Sequence, residues 1–268
     1  MAKIHVGCAG WDYKDWIGPF YPKTLEKYRH LEYYTNYFDL TEINSTFYNL
    51  PAEETVYKWA TRVPNTFHYV VKVWQKITHE LDDREIDSRI AQFFYRMKPL
   101  KEKIIAFLFQ FPPWFKYSKD NLYKLNYLKN EIPFEEHIKY VFELRDDSWF
   151  EPNIITNFID ESNKILGTTY MPGITPYYFP NQKNYYIRLI GDRELTVFNR
   201  IQREQNDSIV DLKLKVQKLI KRRNIYEIFI IVNNHFTGFA PEMANQIKKM
   251  FNLPTKQFSK QKSVLDFT

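Results

Sequence analysis

The chain alternates, almost without interruption, between short apolar runs of strand type and longer segments with helical spacing, and it does so eight times. Strand patterns fall at Ile4–Cys8, Leu40–Asn44, Phe67–Val73, Ile104–Phe111, Ile138–Arg145, Ile165–Tyr170, Tyr185–Gly191 and Tyr226–Asn233. Apolar spacing predicts helices over Thr24–Phe38, from Pro51 through Val63, and over Asp83–Lys101, Lys119–Asn130, Asn153–Asn163, Asp207–Arg223 and Pro241–Phe251. Only Met171–Gln182, rich in proline and tyrosine, replaces a regular helix. Strict alternation means a parallel sheet with helical crossovers, and eight units is the number that closes a barrel. The expectation is an α/β fold, a TIM-type (β/α)8 barrel in a single domain over residues 1–254, slightly irregular after strand six. Residues 255–268 form a tail, frayed or docked by Val264-Leu-Asp-Phe267. An open doubly wound sheet is the alternative, but no Gly-x-Gly-x-x-Gly turn supports a dinucleotide site.

A length of 268 residues suits one such barrel, which runs to roughly 250 residues undivided. No apolar run reaches the roughly 18 residues of a membrane span. The N-terminus leads directly into a strand pattern, which argues against a signal peptide. Cys8 is the single cysteine, so an internal disulfide framework is excluded and a reducing cytoplasm fits. A net charge of +6 favours anionic ligands without requiring nucleic acid. Much of that charge lies in Lys213–Arg223, where Leu212, Val216, Leu219 and Ile220 recur at helical spacing and leave most basic residues on a solvated face.

In a barrel, the C-terminal strand ends converge on one face, where sites of this fold are found. Polar residues gather there. Trp11, Asp12 and Tyr13 follow strand one, and Glu42 and Asn44 share a face of strand two. Lys72 ends strand three, Gln110 ends strand four, and Glu143 and Arg145 share a face of strand five. Arg188 lies on strand seven between Ile187 and Leu189, and strand eight ends in Asn233-Asn234-His235. A wet pocket satisfies such a set more easily than a dry core, since buried polar groups must all be paired.

Several chemistries are open to these residues. Glu42 and Glu143 lie well apart around the ring and would divide general acid and base roles across a small substrate, or be held ionised by Lys72, Arg145 and Arg188 and only position things. Lys72, flanked by Val70, Val71 and Val73, is either a desolvated nucleophilic amine or a charged partner of the carboxylates. Arg145, Arg188 and Lys72 suit phosphate or carboxylate oxygens; Trp11, Tyr13, Phe47 and Tyr48 offer stacking surfaces. His79, His235, Glu42 and Glu143 are the only metal-ligand types near the mouth, and the cations among them argue against tight metal binding. No cofactor is expected beyond a weakly held Mg²⁺ supported by substrate phosphate.

The sequence also resembles a known family. Gly7-Cys-Ala-Gly-Trp-Asp-Tyr-Lys-Asp-Trp16 with Gly18-Pro-Phe-Tyr-Pro22, and Glu42-Ile-Asn-Ser-Thr-Phe-Tyr48, are similar to motifs of the domain-of-unknown-function 72, or YecE-like, family. So are Phe67 to Lys72, Ile77-Thr-His79, Gln110-Phe-Pro-Pro113, Glu143-Leu-Arg145 with Ser148-Trp149, Tyr186-Ile-Arg188, and Asn233-Asn234 followed by Gly238. The resemblance implies a TIM-type barrel and no particular reaction. Many members carry Arg-x-His-Gly on strand seven, whereas this chain has Arg188-Leu-Ile-Gly191.

The sites expected are therefore Glu42, Glu143 and Lys72 for catalysis, with Trp11, Asp12, Tyr13, Asn44, His79, Gln110, Arg145, Arg188, Asn233 and Asn234 for ligand binding. The functional expectation is a pocket protein acting on a small phosphorylated, anionic or nucleic-acid-derived substrate, its reaction class open between hydrolase and lyase. The alternative is a nucleic-acid-binding or DNA-repair-associated protein without chemistry of its own, suggested by the basic charge and by the fold-level likeness of the family to endonuclease IV barrels.

Overall fold

The computed structural model describes residues 2–82, 84–160 and 162–258. Its strands are β1 Lys3–Ala9, β2 Leu40–Ile43, β3 His68–Lys72, β4 Ile104–Gln110, β5 Lys139–Glu143, β6 Lys164–Tyr170, β7 Asn184–Leu189 and β8 Glu227–Val232. They pair in parallel and in chain order, and β8 returns to β1, so the expected barrel closes. The helices are α1 His30–Tyr34, α2 Ser45–Tyr48, α3 Glu53–Thr61, α4 Gln75–Thr78 and α5 Ile86–Met97. After β4 come α6 Lys119–Glu131, α7 Pro152–Ile155, α8 Asn206–Ile220, α9 Asn234–Thr237 and α10 Ala240–Met250.

Strand alternation sorts the buried residues into two layers. Val6, Cys8, Ile43, Val71, Phe107 and Phe142 join the cluster that packs beneath the helices. Leu40, Val70, Leu108, Val141, Ile165, Tyr186, Phe229 and Ile231 form a separate apolar cluster that fills the barrel. Gly167 belongs to the inner series two residues after Ile165; a Cβ there would lie 3.1 Å from Val141 Cγ1 and 3.4 Å from Glu143 Cβ. At Gly191, with φ +76°, a Cβ would meet the His235 carbonyl oxygen at 2.2 Å, so this position requires glycine.

Three segments depart from the sequence expectation, each for a local reason. In place of a helix over Thr24–Phe38 there is a 3₁₀ turn, Lys27–Arg29, followed by the single-turn α1. The Tyr34 hydroxyl is drawn to the Leu40 carbonyl at 2.9 Å while accepting from the Cys8 N–H at 2.8 Å, which ties this segment to β1 and β2. The helix expected over Asn153–Asn163 stops at Ile155. Asp160 Oδ1 accepts the N–H groups of Ser162, Asn163 and Lys164 at 2.9–3.0 Å, a turn that competes with helix. Strand two ends at Ile43, because Asn44 is already in the helical region (φ −93°, ψ −20°). Thr46 Oγ1 lies 3.0 Å from the Ile43 carbonyl and 2.6 Å from that of Lys72, which closes the corner. Of the tail, Phe258 packs edge-on against Phe20 and Tyr37; Val264–Phe267 lie outside the described residues.

The N-terminal end of the barrel is closed by a charged plug. His5 stacks on Phe229, with its ring nitrogens 3.5 Å from Asp39 and 3.4 Å from Glu227, whose other oxygen pairs with Lys139. Burial works against the His5 cation, but the flanking carboxylates outweigh it and raise its pKa. The His5 contact and Lys139 hold Glu227 down to about 2 despite burial. A raised folded pKa means that His5 stabilises fully below its unfolded value and loses that share as pH rises through the folded one. Glu227 contributes above about 4.5 and fades as pH falls toward about 2. A His5→Gln variant is therefore expected to melt well below wild type at about pH 5.5, the gap narrowing at alkaline pH. Melting curves giving an equal gap from about pH 5 to 9 would mean a plug with neutral His5.

Candidate functional site at the C-terminal strand ends

Two residues beyond the apolar filling, the same inward-facing series turns polar. Leu40 is succeeded by Glu42, Val70 by Lys72, Leu108 by Gln110, Val141 by Glu143 and Tyr186 by Arg188. Glu42 and Glu143 are fully buried and Arg188 is 2% exposed. Arg188 is the hub. Its Nε and Nη2 donate to Glu42 Oε2 and Oε1 at 2.9 and 2.7 Å, and its Nη1 donates to Glu143 Oε2 at 2.6 Å. Tyr186 adds a hydroxyl donor to Glu42 Oε2 at 2.7 Å. Glu143 Oε1 accepts a hydrogen bond from Arg145 Nε at 2.7 Å and lies in ion-pair contact with Nη2, also at 2.7 Å.

The electrostatics follow from that wiring. Burial alone would raise the Glu143 carboxyl, yet Arg188 and Arg145 hold it down to about 2. Burial disfavours the Arg188 cation, and Glu143 with Glu42 more than restores it. Every oxygen of both carboxylates already meets a cationic or hydroxyl donor, which fits the positioning role considered above. Arg188 likewise donates from all three of its nitrogens to the two carboxylates, which makes it their shared counter-ion.

Lys72 differs. It is 6% exposed, and among the described residues no hydrogen bond or ion pair is formed by its Nζ. The ammonium lies 3.6 Å from the centre of the Phe47 ring. Burial first, then the Arg188 guanidinium, with Arg145 adding to it, pulls the amine down to about 7; Glu143 and Glu42 oppose this only in part. His79, 5.2 Å from the Phe47 ring, is lowered to about 4 by burial and then by the charges of Lys72 and Arg145. Lys72, Arg145 and His79 thus share one electrostatic neighbourhood at the mouth.

The remaining expected residues are distributed around the rim or serve the fold. Asn233 Oδ1 caps α9 by accepting the His235 N–H at 3.0 Å. Asn234 Oδ1 accepts from Trp16 Nε1 at 3.1 Å and from the Ala240 N–H at 3.0 Å, pinning the α9–α10 corner. Gln110 Nε2 donates to the Phe111 carbonyl at 2.7 Å. Asp12 is paired with Lys27 at 3.1 Å and His30 at 3.3 Å, outside the Arg188 network. These bonds give Asp12, Gln110, Asn233 and Asn234 structural partners, and among the described residues Asn234 Nδ2 is left without one. Trp11, Tyr13 and Asn44, together with Asp12, line a cleft of about 780 Å³ beside β1 and β2. Because Asn44 has left the strand, it faces this cleft and does not share a strand face with Glu42.

The sequence offered Tyr186 only as part of the Tyr186-Ile-Arg188 motif and not as a site residue, although it precedes Arg188 by the strand period of two and so shares its face. Sequence reasoning passed over Lys58, Trp59 and Arg62 of the cleft, because amphipathic α3 reads as an ordinary barrel helix. Among the described residues no three His, Cys, Asp or Glu side chains converge as a metal site, and no helix is long and apolar enough to cross a membrane.

A closed parallel barrel with ionisable side chains gathered at its C-terminal strand ends is a TIM-type (β/α)8 protein with a site where that architecture carries one. The family described as "Protein of unknown function DUF72" matches residues 5–265, and the chain belongs to it. The UPF0759 protein YunF of Bacillus subtilis is 24% identical over 93% of this chain and 95% of its own length. The UPF0759 protein YecE of Escherichia coli is 27% identical over 55% of this chain and 50% of its own. Among solved structures, a DUF72 family protein of Thermotoga maritima superimposes with a TM-score of 0.76 at 24% identity, covering 93% of this chain and 99% of that one. One from Enterococcus faecalis gives 0.74 at 25% identity, with 95% and 99% covered. These relatives support the fold and assign no reaction.

Proposed function

We propose that the protein is an enzyme acting on a small anionic carbonyl compound through the amine of Lys72. The observation that carries this reading is a buried lysine at a strand end, without a carboxylate partner, beside two arginines. A desolvated amine near fixed cations is available as a nucleophile at neutral pH. It would add to an aldehyde or ketone carbon and, with loss of water, form an imine, the first step of a lyase-type reaction. Arg145 uses Nε and Nη2 on Glu143, which leaves Nη1 to meet a carboxylate or phosphate of the substrate. Glu42, Glu143 and Arg188 would hold Arg145 and the local field in place.

The test is reductive trapping. The protein is incubated with a panel of 2-oxo acids and phosphorylated aldehydes and ketones, borohydride is added, and intact mass and peptide maps are recorded. At least one compound is expected to leave a stoichiometric adduct on Lys72, absent from Lys72→Met. If surface lysines label at random while Lys72 stays unmodified, amine catalysis is rejected.

A further inference from the structure

The cleft beside β1 and β2 is separate from the Lys72 cluster: neither Lys72, Arg145, Arg188 nor either buried glutamate lines it. Its volume, about 780 Å³, lies within the roughly 300–1,000 Å³ typical of small-molecule sites. Two kinds of side chain dominate. Trp11 and Trp59 stand perpendicular, with ring centres 5.8 Å apart, so their planes form a corner. Lys27, Lys58 and Arg62 supply three cations, against the carboxylate of Asp12 in the lining and that of Glu54, which pairs with Lys58 from outside it.

The corner is built rather than incidental. The Trp11 carbonyl accepts the buried Tyr21 hydroxyl at 2.5 Å, and the Trp59 carbonyl accepts the Tyr69 hydroxyl at 3.0 Å, fixing both backbones. Arg62 Nη1 donates to the Tyr28 carbonyl at 2.9 Å, which ties the end of α3 to the turn that carries Lys27. The lysines are held loosely by contrast. Lys58 pairs at 2.6 Å with Glu54, which is 77% exposed, and Lys27 pairs at 3.1 Å with the partly exposed Asp12. Exposed pairs of this kind contribute little, so a ligand anion can replace them.

A flat ring recognised by stacking and an anion recognised by two or three cations belong together in one chemical class. We infer that this cleft binds a nucleoside phosphate, its base against the Trp11–Trp59 corner and its phosphate toward Lys58 and Arg62. An aromatic corner alone suits a sugar or a neutral ring; the surplus of cations selects the phosphorylated compound. The ligand is a free mononucleotide or the terminal residue of a strand, which offer the same ring and phosphate. The inference stands apart from the amine chemistry, because the two residue sets do not overlap.

Tryptophan fluorescence of the full chain, titrated with each of the four ribonucleoside 5′-monophosphates, the matching nucleosides, inorganic phosphate and a short 5′-phosphorylated oligothymidylate, tests it. At least one mononucleotide or the oligonucleotide is expected to quench saturably in the micromolar to millimolar range, at least tenfold more tightly than its nucleoside or phosphate alone. Tighter binding of the oligonucleotide than of the monomers identifies the strand end as the source; the reverse identifies the free nucleotide. Lys58→Glu, an exposed change that leaves the core untouched, should weaken the binding at least tenfold and flatten its salt dependence, and Trp59→Leu should abolish the quench. Lys72→Met should bind as wild type, and Lys58→Glu should still form the trapped Lys72 adduct. Absence of saturation by every nucleotide, equal affinity for inorganic phosphate alone, or binding unchanged in Lys58→Glu overturns the assignment.

Discussion

Arg188→Met is expected to destabilise the protein by about 3–5 kcal/mol, the usual cost of removing one partner of a buried ion pair. The reason is positional. Arg188 alone bridges Glu42 and Glu143, two fully buried carboxylates, through three hydrogen bonds of 2.6–2.9 Å. Methionine leaves Glu42 with only the Tyr186 hydroxyl and Glu143 with only its Arg145 ion pair. Against a total stability of roughly 5–15 kcal/mol, that loss brings the fold close to its limit. Chemical denaturation of wild type, Arg188→Met and the triple variant Glu42→Gln, Glu143→Gln, Arg188→Met checks the claim. The triple variant should recover part of the loss, because neutral amides remove the stranded charges. A single variant within about 1 kcal/mol of wild type would mean that water reaches the cluster and screens it.

The same residues show why the architecture was legible in the sequence and the wiring was not. Strand identity rests on local patterns of apolar residues, which also place Glu42, Lys72, Gln110, Glu143 and Arg188 near one end of the barrel. Which of them bond depends on register and on reach across the barrel. Thr169 pairs with Arg188 and Arg188 with Ile231, so the arginine enters the barrel between a threonine and an isoleucine and spans it to β2 and β5. No spacing within the sequence encodes that reach. Asn44 shows a second limit: strand alternation put it beside Glu42, but the Thr46 hydroxyl contacts with Ile43 and Lys72 turn the chain first. Lys58 and Trp59 illustrate a third, since a helix that packs a barrel and a helix that also walls a cleft share one amphipathic pattern.

Lys72→Met is expected to have the opposite effect on stability to Arg188→Met, while abolishing any chemistry at the mouth. Lys72 is pulled from 10.5 down to about 7, so the folded state disfavours its charged form. Below about pH 7 both folded and unfolded chains carry the proton, and the fold bears the whole penalty. Between about pH 7 and 10.5 the unfolded chain binds more protons, so stability rises with pH, and above that range the penalty is gone. Methionine fills much of the same space without a charge. Its variant should therefore melt higher than wild type at about pH 6 and converge with it near about pH 10.5. The rate at which wild-type Lys72 reacts with an amine-specific acylating reagent, followed by peptide mass spectrometry, should rise with a midpoint near 7. Arg145→Gln should move that midpoint upward, because a nearby cation that disfavours the ammonium has been removed. A reaction midpoint near that of ordinary lysines, together with a methionine variant less stable than wild type at pH 6, would make Lys72 a charged strut of the mouth. The enzyme proposal would then lose the group on which it depends.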